Sequence, residues 1–351
     1  MEEQRKTTRR VITVASIILL ILLNIFDLVP SKFSEAPRQL IRAERHAKGL
    51  HLDYVLDNHT ANVYDPLKET DTAVYWHIHK ASGSSVKSYY TCMGKVMVDR
   101  VGVSNGHHED KQIAVWENEY HFRWVNVDSS TYDGLTRAKE LGLGNSGLAD
   151  VVVTALLPAA LAVFSHSHQA RVFALFRHPI DRAASLYYYR QVSSWEVGQD
   201  VYRPDLADVS IEKFYQRKRG TQDNPILSAL LNKDRVVETL TDEDLAKGKE
   251  ILEQKVLIGL TNKMEASMNR FDTYFGWYDD ENRPRCRNLF IDRKVNSNNS
   301  YKRVEPGSQL WNEMAVIMDY DIKLYNYAVH LWHEQRKLFY DTVDFNLVQV
   351  L

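Results

Sequence analysis

The chain has 351 residues, of which 44% are hydrophobic and 26% are charged, and its formal net charge at pH 7 is −2. These fractions are ordinary for a folded protein and provide enough apolar residues for a sizeable core. A net charge this close to zero excludes a surface that is basic throughout, as a general nucleic-acid-binding protein would need.

The first predicted element is an apolar segment from Val11 to Val29, close to the roughly 20 residues that a helix needs to span a bilayer. Basic residues precede it, so the positive-inside rule keeps residues 1–10 in the cytosol. No small-x-small cleavage site closes the segment, which favours an uncleaved signal-anchor over a cleaved signal peptide. We therefore expect a type II membrane protein with a cytosolic tail (1–10), a transmembrane anchor (11–29), a luminal stem (30–70), a globular domain (71–340) and a C-terminal tail (341–351).

The globular domain opens with a predicted buried strand, Val74 to Ile78, followed by Lys80 and a run of small residues: Ala81, Ser82, Gly83, Ser84 and Ser85. Small residues let backbone N–H groups approach an anion closely, and a helix that begins near Ser84 would direct its free N–H groups at the same point. Lys80 adds a full positive charge on a long side chain. The sequence predicts a phosphate-binding loop here, and the alternative is a surface turn that contains a lysine by chance. The nucleotide triphosphate loop has the opposite order, because its lysine follows the glycines.

A second predicted strand, Val172 to Phe176, ends at Arg177, and Pro179 then opens a helix that contains Ser185. Residues 71 to 190 alternate strands and helices, which indicates an α/β fold. Such sheets bind ligands outside the carboxyl ends of their strands. The guanidinium of Arg177 can donate two hydrogen bonds to a phosphate, and the hydroxyl of Ser185 can donate one more. The alternative is a structural ion pair between Arg177 and Asp181.

The two motifs, "HKASGSS" around Lys80 and R-x-P-x-x-R-x-x-S from Arg177 to Ser185, resemble those of sulfotransferases that use PAPS (3′-phosphoadenosine 5′-phosphosulfate). The resemblance continues, patchily, over about residues 70 to 340. "YHFRWVNV" (Tyr120 to Val127), "EQKVLIGLTNKMEASMNRFDTYFGW" and the stretch from Arg293 to Trp332 are similar to segments of Golgi uronyl and heparan 2-O-sulfotransferases. The overall pattern is most similar to uncharacterised sulfotransferase-domain proteins of algae.

This resemblance implies a P-loop-like, three-layer α/β sulfotransferase fold with a central, mainly parallel sheet behind the membrane anchor. It implies that residues Lys80 to Ser85 bind the 5′-phosphosulfate of PAPS, and that Arg177 and Ser185 bind its 3′-phosphate. Lys80 would also be catalytic, because it would offset the charge that grows on the leaving group. The expected location is the Golgi membrane with a luminal catalytic domain. The expected acceptor is a glycan or another molecule that carries a hydroxyl, and no metal and no nucleic acid are expected as partners.

One departure concerns the catalytic base. The resembling enzymes carry a Gly-His pair on the strand before the arginine strand, and an ungapped comparison places Thr154 and Ala155 there. The general base is therefore unassigned. Other residues that could take a proton from the acceptor are His79, His107, His108, Glu117, Glu119 and His121.

Several features leave alternatives open. Trp195 and Tyr202 lie where related enzymes bind the acceptor, and they either stack on sugars or simply pack. Cys92 and Cys286 either form a disulfide or remain buried thiols. Two sequons, at Asn58 and Asn298, are compatible with a luminal domain. The missing histidine raises the alternative of a non-catalytic protein that binds nucleotide or glycan. A nucleotide-dependent kinase would need a lysine after the glycines and Mg²⁺-binding aspartates.

Overall fold

The computed structural model describes residues 52–196, 201–235, 237–292 and 303–339, and a seven-stranded sheet lies at its centre. The strands are β1 (Thr72–Trp76), β2 (Met97–Val98), β3 (Val115–Glu117), β4 (Arg123–Val125), β5 (Val151–Thr154), β6 (Ala170–Phe176) and β7 (Val256–Leu260). Their order across the sheet is β3-β4-β2-β5-β1-β6-β7, and every neighbouring pair is parallel except the β3–β4 hairpin. The predicted α/β fold with a mainly parallel sheet is therefore confirmed.

Four of the parallel strands are buried on both faces, which explains why they read as near-continuous apolar runs in the sequence. All residues of β1, β5, β6 and β7 are buried. Successive side chains point to opposite faces, so Val74 and Trp76 pack in one core cluster while Ala73 and Tyr75 pack in another. Two cores, one on each face of the sheet, fit a three-layer arrangement of helices, sheet and helices.

The helices that cover the sheet are formed by segments between and after the strands. They are α1 (Leu52–Asn58), α2 (Gly83–Cys92), α3 (Tyr132–Glu140), α4 (Leu143–Ser146), α5 (Leu157–Leu161), α6 (Pro179–Val192), α7 (Ile211–Gln216), α8 (Pro225–Leu230), α9 (Asp242–Lys255), α10 (Met264–Tyr274), α11 (Arg283–Arg287), α12 (Gln309–Ile317) and α13 (Asp319–Glu334). A third apolar cluster joins α6, α7 and α12 beside the sheet.

The segment from Tyr120 to Val127, whose resemblance to the Golgi 2-O-sulfotransferases implies a strand between the two loops, forms a strand only over β4. His121 has a backbone φ of 64°, in the left-handed region, and the backbone N–H of His121 donates to the carbonyl of Asn118. This turn closes the β3–β4 hairpin, so Tyr120 and His121 belong to the hairpin loop and not to the strand.

Residues 52–70, at the end of the segment assigned to the stem, pack against the sheet. Val55 and Leu56 of α1 belong to one core cluster. Arg171 of β6, which is 1% exposed, forms an ion pair with Asp71 at 2.7 Å and donates to the backbone carbonyl of Asn62 at 2.6 Å. The predicted anchor at residues 11–29 lies outside the described residues, and within the part of the chain that the structure describes no helix is long and apolar enough to cross a membrane.

Cys92 and Cys286 form a disulfide, with their Cα atoms 5.7 Å apart. Cys92 ends α2, the helix that follows the Lys80 loop, and Cys286 lies in α11. The bond therefore connects the helix at the candidate phosphate loop to a segment 194 residues further along the chain.

Candidate functional site

The structure brings the two predicted loops together at the carboxyl edge of the sheet. β1 and β6 are adjacent parallel strands, so Lys80 after β1 and Arg177 after β6 lie at the same edge. Arg177 Nη1 donates a hydrogen bond of 3.1 Å to the backbone carbonyl of Lys80. Ser185 lies in the second turn of α6, the helix that begins just after Arg177, and is 7% exposed.

The Lys80 loop has an unusual backbone. Lys80 and Ser82 have φ angles of 66° and 64°, in the left-handed region that non-glycine residues adopt only at some cost. Such residues concentrate at binding sites, where surrounding structure holds them in place. Ala81 is fully buried between them, and α2 begins at Gly83, as the predicted helix start near Ser84 requires.

Gly83 is needed because of its neighbour His77. A Cβ atom at position 83 would lie 2.0 Å from both Cδ2 and Nε2 of the His77 ring, far inside the contact distance. The glycine therefore allows the first turn of α2 to lie against the imidazole. The sequence predicted a role for Gly83 in backbone approach to an anion, and the structure adds this side-chain packing.

Lys80 reaches across the site to α6. Its Nζ lies 3.7 Å from the centroid of the Tyr189 ring, within range of a cation–π interaction. Burial first, and then the positive charge of Arg177, lower the pKa of Lys80 to about 8, while the charge of Glu196 acts in the opposite direction. The Lys80 amine therefore lies close to the Arg177 guanidinium, and two neighbouring cations favour the binding of an anion between them.

Tyr189, Glu196 and Trp195 form a small group beside Lys80 that the sequence reading did not assign to the donor site. The Tyr189 hydroxyl donates to Glu196 Oε1 at 2.6 Å, and Trp195 Nε1 donates to the Tyr189 oxygen at 3.2 Å. Burial and the Glu196 hydrogen bond raise the pKa of Tyr189. One signal was available, because Tyr189 follows Ser185 by four residues and therefore lies one helical turn away on the same side of α6.

Trp195 exposes 48% of its surface next to this group. An exposed indole beside Lys80 is suited to stacking on a sugar ring, as the acceptor prediction requires. Tyr202, the other predicted aromatic, is partly buried.

Two histidines, His77 and His79, precede Lys80, and their ring centroids are 5.1 Å apart. Burial lowers the pKa of His77 to about 3, with smaller contributions from His79, Lys87 and Lys80. Burial, and then the positive charge of Arg182, lower the pKa of His79, while the negative charge of Glu196 raises it. Both imidazoles are therefore neutral at neutral pH and can accept a proton, but His77 is a very weak base.

The other candidates for the general base lie at two opposite edges of the sheet. Glu117 ends β3, and Glu119 and His121 lie in the hairpin loop before β4, so all three are at the amino edge of the parallel strands, opposite Lys80. His107 and His108 follow β2 in a 3₁₀ segment at the carboxyl edge.

His107 and His108 differ in how they are held. His107 Nδ1 lies 2.9 Å from an oxygen of Asp110, and its ring stacks on Trp116 at a centroid distance of 4.8 Å. The side chain of His108 is 62% exposed. Among the candidates, His79 lies closest along the chain to Lys80, with His107 and His108 two strands away at the same edge.

Thr154, which the ungapped comparison places with Ala155 at the Gly-His pair of the resembling enzymes, has a structural role here. Thr154 is 1% exposed, and its hydroxyl oxygen accepts a hydrogen bond of 2.9 Å from the backbone N–H of Leu156. The Thr154 carbonyl accepts from the backbone N–H of His77 at 2.7 Å. These bonds fix the end of β5 against the Lys80 loop, and neither Thr154 nor Ala155 can take up a proton.

Fold and site define an α/β protein with a cationic, small-residue loop at the carboxyl edge of a parallel sheet. Among the described residues, no group of three histidine, cysteine, aspartate or glutamate side chains is placed to hold a metal ion. No protein-family model and no curated protein sequence matches the chain.

Proposed function

We propose that this protein is a PAPS-dependent sulfotransferase that moves a sulfuryl group to a hydroxyl of a glycan. The observation that carries the proposal is the hydrogen bond from Arg177 to the Lys80 carbonyl, since it joins the two loops that a doubly phosphorylated nucleotide needs. Two cationic side chains at one carboxyl edge, beside the start of a helix, form a site suited to phosphate and phosphosulfate groups.

In the proposed reaction, the acceptor hydroxyl oxygen attacks sulfur in line with the bond to the 5′-phosphate oxygen. The new O–S bond forms as the old one breaks, and adenosine 3′,5′-bisphosphate leaves with the electron pair of that bond. The Lys80 ammonium offsets the charge on the leaving oxygen, while Arg177 and Ser185 hold the 3′-phosphate. A neutral base takes the acceptor proton, and His79 is the candidate beside Lys80.

Two features support a luminal location in the Golgi. The Cys92–Cys286 disulfide is of the kind that persists in oxidising compartments. The apolar segment from Val11 to Val29, with basic residues before it, predicts a type II anchor that would place the domain in the lumen. The exposed Trp195 supports a sugar as the acceptor.

The test is transfer of radiolabelled sulfur from PAPS to a panel of desulfated polysaccharides by the purified full-length chain. Lys80→Ala should lower the rate by about 10²- to 10³-fold, the effect of removing one group that stabilises transition-state charge. Lys111→Ala, which removes an exposed lysine, is the matched control and should leave the rate unchanged. Equal rates for Lys80→Ala and Lys111→Ala would contradict the proposal.

A second candidate is a non-catalytic protein that binds the same nucleotide. The structural role of Thr154 favours it, because no base occupies the position used by the resembling enzymes. This protein would bind adenosine 3′,5′-bisphosphate but would label none of the polysaccharides.

A further inference from the structure

A small cavity beside α6 has a strongly cationic lining that the proposed reaction does not use. Four cationic side chains and one carboxylate line it: Arg182, Arg190, Lys218, Arg235 and Asp223. We call this the Arg182 cavity. Its volume is about 40 Å³, more than the roughly 10–15 Å³ that one water molecule needs.

Arg182 is the most unusual member of this lining. It is 5% exposed, and its Nε has no hydrogen-bond partner among the described residues. The Nε of Arg190, also buried, has no partner there either. A buried charge without hydrogen bonds costs several kcal/mol, so a native protein usually supplies a counter-charge or a ligand.

The nearby carboxylates are already occupied. Asp223 Oδ2 accepts from Lys218 Nζ at 2.5 Å, and its other oxygen lies 3.9 Å from Arg235, too far for a hydrogen bond. Asp321 accepts the backbone N–H groups of Ile226 and Leu227 at 3.0 and 2.9 Å. Positive charge therefore exceeds negative charge around the cavity.

The cavity is distinct from the Lys80 loop although both adjoin α6. Its lining includes five residues of α6, Arg182, Ala183, Leu186, Tyr187 and Arg190, but none of Lys80, Arg177, Ser185 and Tyr189. The positive charge of Arg182 contributes to lowering the pKa of His79, so the two sites lie within electrostatic reach of each other.

We propose that the Arg182 cavity binds an oxyanion, sulfate or phosphate, either as the free ion or as the terminal ester of a larger molecule. Guanidinium groups present paired N–H donors that match two oxygens of such an anion, and two of the four cations hold unpaired buried donors. The ammonium of Lys218 and the half-exposed Arg235 lie at its rim. The anion would supply the hydrogen-bond acceptors and the negative charge that this buried lining lacks.

The test is a calorimetric titration of the full-length chain with sodium sulfate at constant ionic strength, with adenosine 3′,5′-bisphosphate present in excess. Arg190→Gln and Arg235→Gln should each weaken sulfate binding about tenfold, the usual effect of losing a charged hydrogen bond. Arg217→Gln, an exposed arginine next to Lys218, should bind as the wild type does. Both cavity variants change partly exposed residues, so they should fold, and circular dichroism verifies this.

Repeating the titration with Lys80→Ala separates this site from the proposed donor site. Sulfate binding that persists in Lys80→Ala and weakens in the cavity variants supports the proposal, even if the nucleotide does not bind at all. Binding that disappears in Lys80→Ala, or that is equal in Arg190→Gln and Arg217→Gln, overturns it. Titration with glucose 6-sulfate and glucose 6-phosphate then identifies the form of the ligand. If the cavity takes the terminal ester of a larger molecule, these esters should bind as well as the free ion does. If it takes only the free ion, the esters should not bind.

Discussion

Arg177 Nη1 donates a 3.1 Å hydrogen bond to the backbone carbonyl of Lys80, across 97 residues of sequence. This bond joins the end of β6 to a loop whose backbone is left-handed at Lys80 and Ser82. The arginine therefore acts twice in our account, since it shapes the Lys80 loop and also presents positive charge at the same edge.

Gly83→Ala should weaken adenosine 3′,5′-bisphosphate binding about tenfold, because the added Cβ would lie 2.0 Å from the His77 ring and displace the loop. Calorimetry on the purified protein measures this. Lys111→Ala, at an exposed position outside the loop, is the control and should bind normally. Adding His77→Ala to Gly83→Ala should restore much of the lost affinity, because it removes the ring that the new Cβ would meet. If the losses of binding free energy in the two single variants simply add in the double variant, the clash is not the cause.

Nucleotide affinity should fall as pH rises from 7 to 9, because Lys80, with a pKa of about 8, loses the proton that binds the anion. Below pH 8 the amine is mostly charged, and above it the fall approaches about tenfold per pH unit for one proton taken up on binding. The phosphates, whose second pKa is about 6, stay ionised over this range. In Lys80→Arg the guanidinium keeps its charge, so its affinity should be nearly independent of pH. Equal slopes for the two proteins would rule out Lys80 as the titrating group.

Reduction of the Cys92–Cys286 disulfide should lower the free energy of unfolding by about 2–4 kcal/mol, since the bond closes a long loop. Urea unfolding with and without reductant measures the difference. The Cys92→Ser, Cys286→Ser double variant should unfold at the urea concentration of the reduced protein in both buffers. A wild-type curve that reductant does not change would mean that the bond does not form.

Arg171→Met should destabilise the fold by about 3–5 kcal/mol, because it leaves Asp71 buried without its partner. It also removes the donors to the carbonyls of Asn62 and Asp65, which hold residues before β1 on the sheet. Arg203→Met breaks an exposed ion pair with Asp205 and serves as the control, with little expected effect on urea unfolding. Equal stability of the two variants would contradict the packing described for residues 52–70.

Local sequence patterns predicted the strands and the edge of the sheet well. The buried runs after positions 72 and 170 are apolar and β-branched, and the small residues after Lys80 begin α2 within one residue of the expected start. β1 and β6 each begin two residues before their predicted positions. Thr72 and Ala170 already pair with each other in the ladder, which hydropathy alone does not reveal.

Contacts between distant segments could not be predicted in the same way. The cation–π contact of Lys80 with Tyr189, the packing of His77 on Gly83 and the burial of Arg182 all depend on how separate segments meet in space. The pattern R-x-P-x-x-R-x-x-S correctly placed Arg182 on a helix with Ser185, but a helical arginine is usually exposed. Its burial beside a cavity follows from the packing of α6 against α7 and α12.

The most direct test of the proposed donor site is calorimetric binding of adenosine 3′,5′-bisphosphate to the wild-type chain, Lys80→Ala and Arg177→Ala. We predict tight binding to the wild type and a loss of at least about tenfold in each variant, since each removes a cation that is proposed to contact phosphate. The Lys111→Ala protein should bind as the wild type does. No binding to folded wild-type protein, or equal binding to all four proteins, would contradict the account.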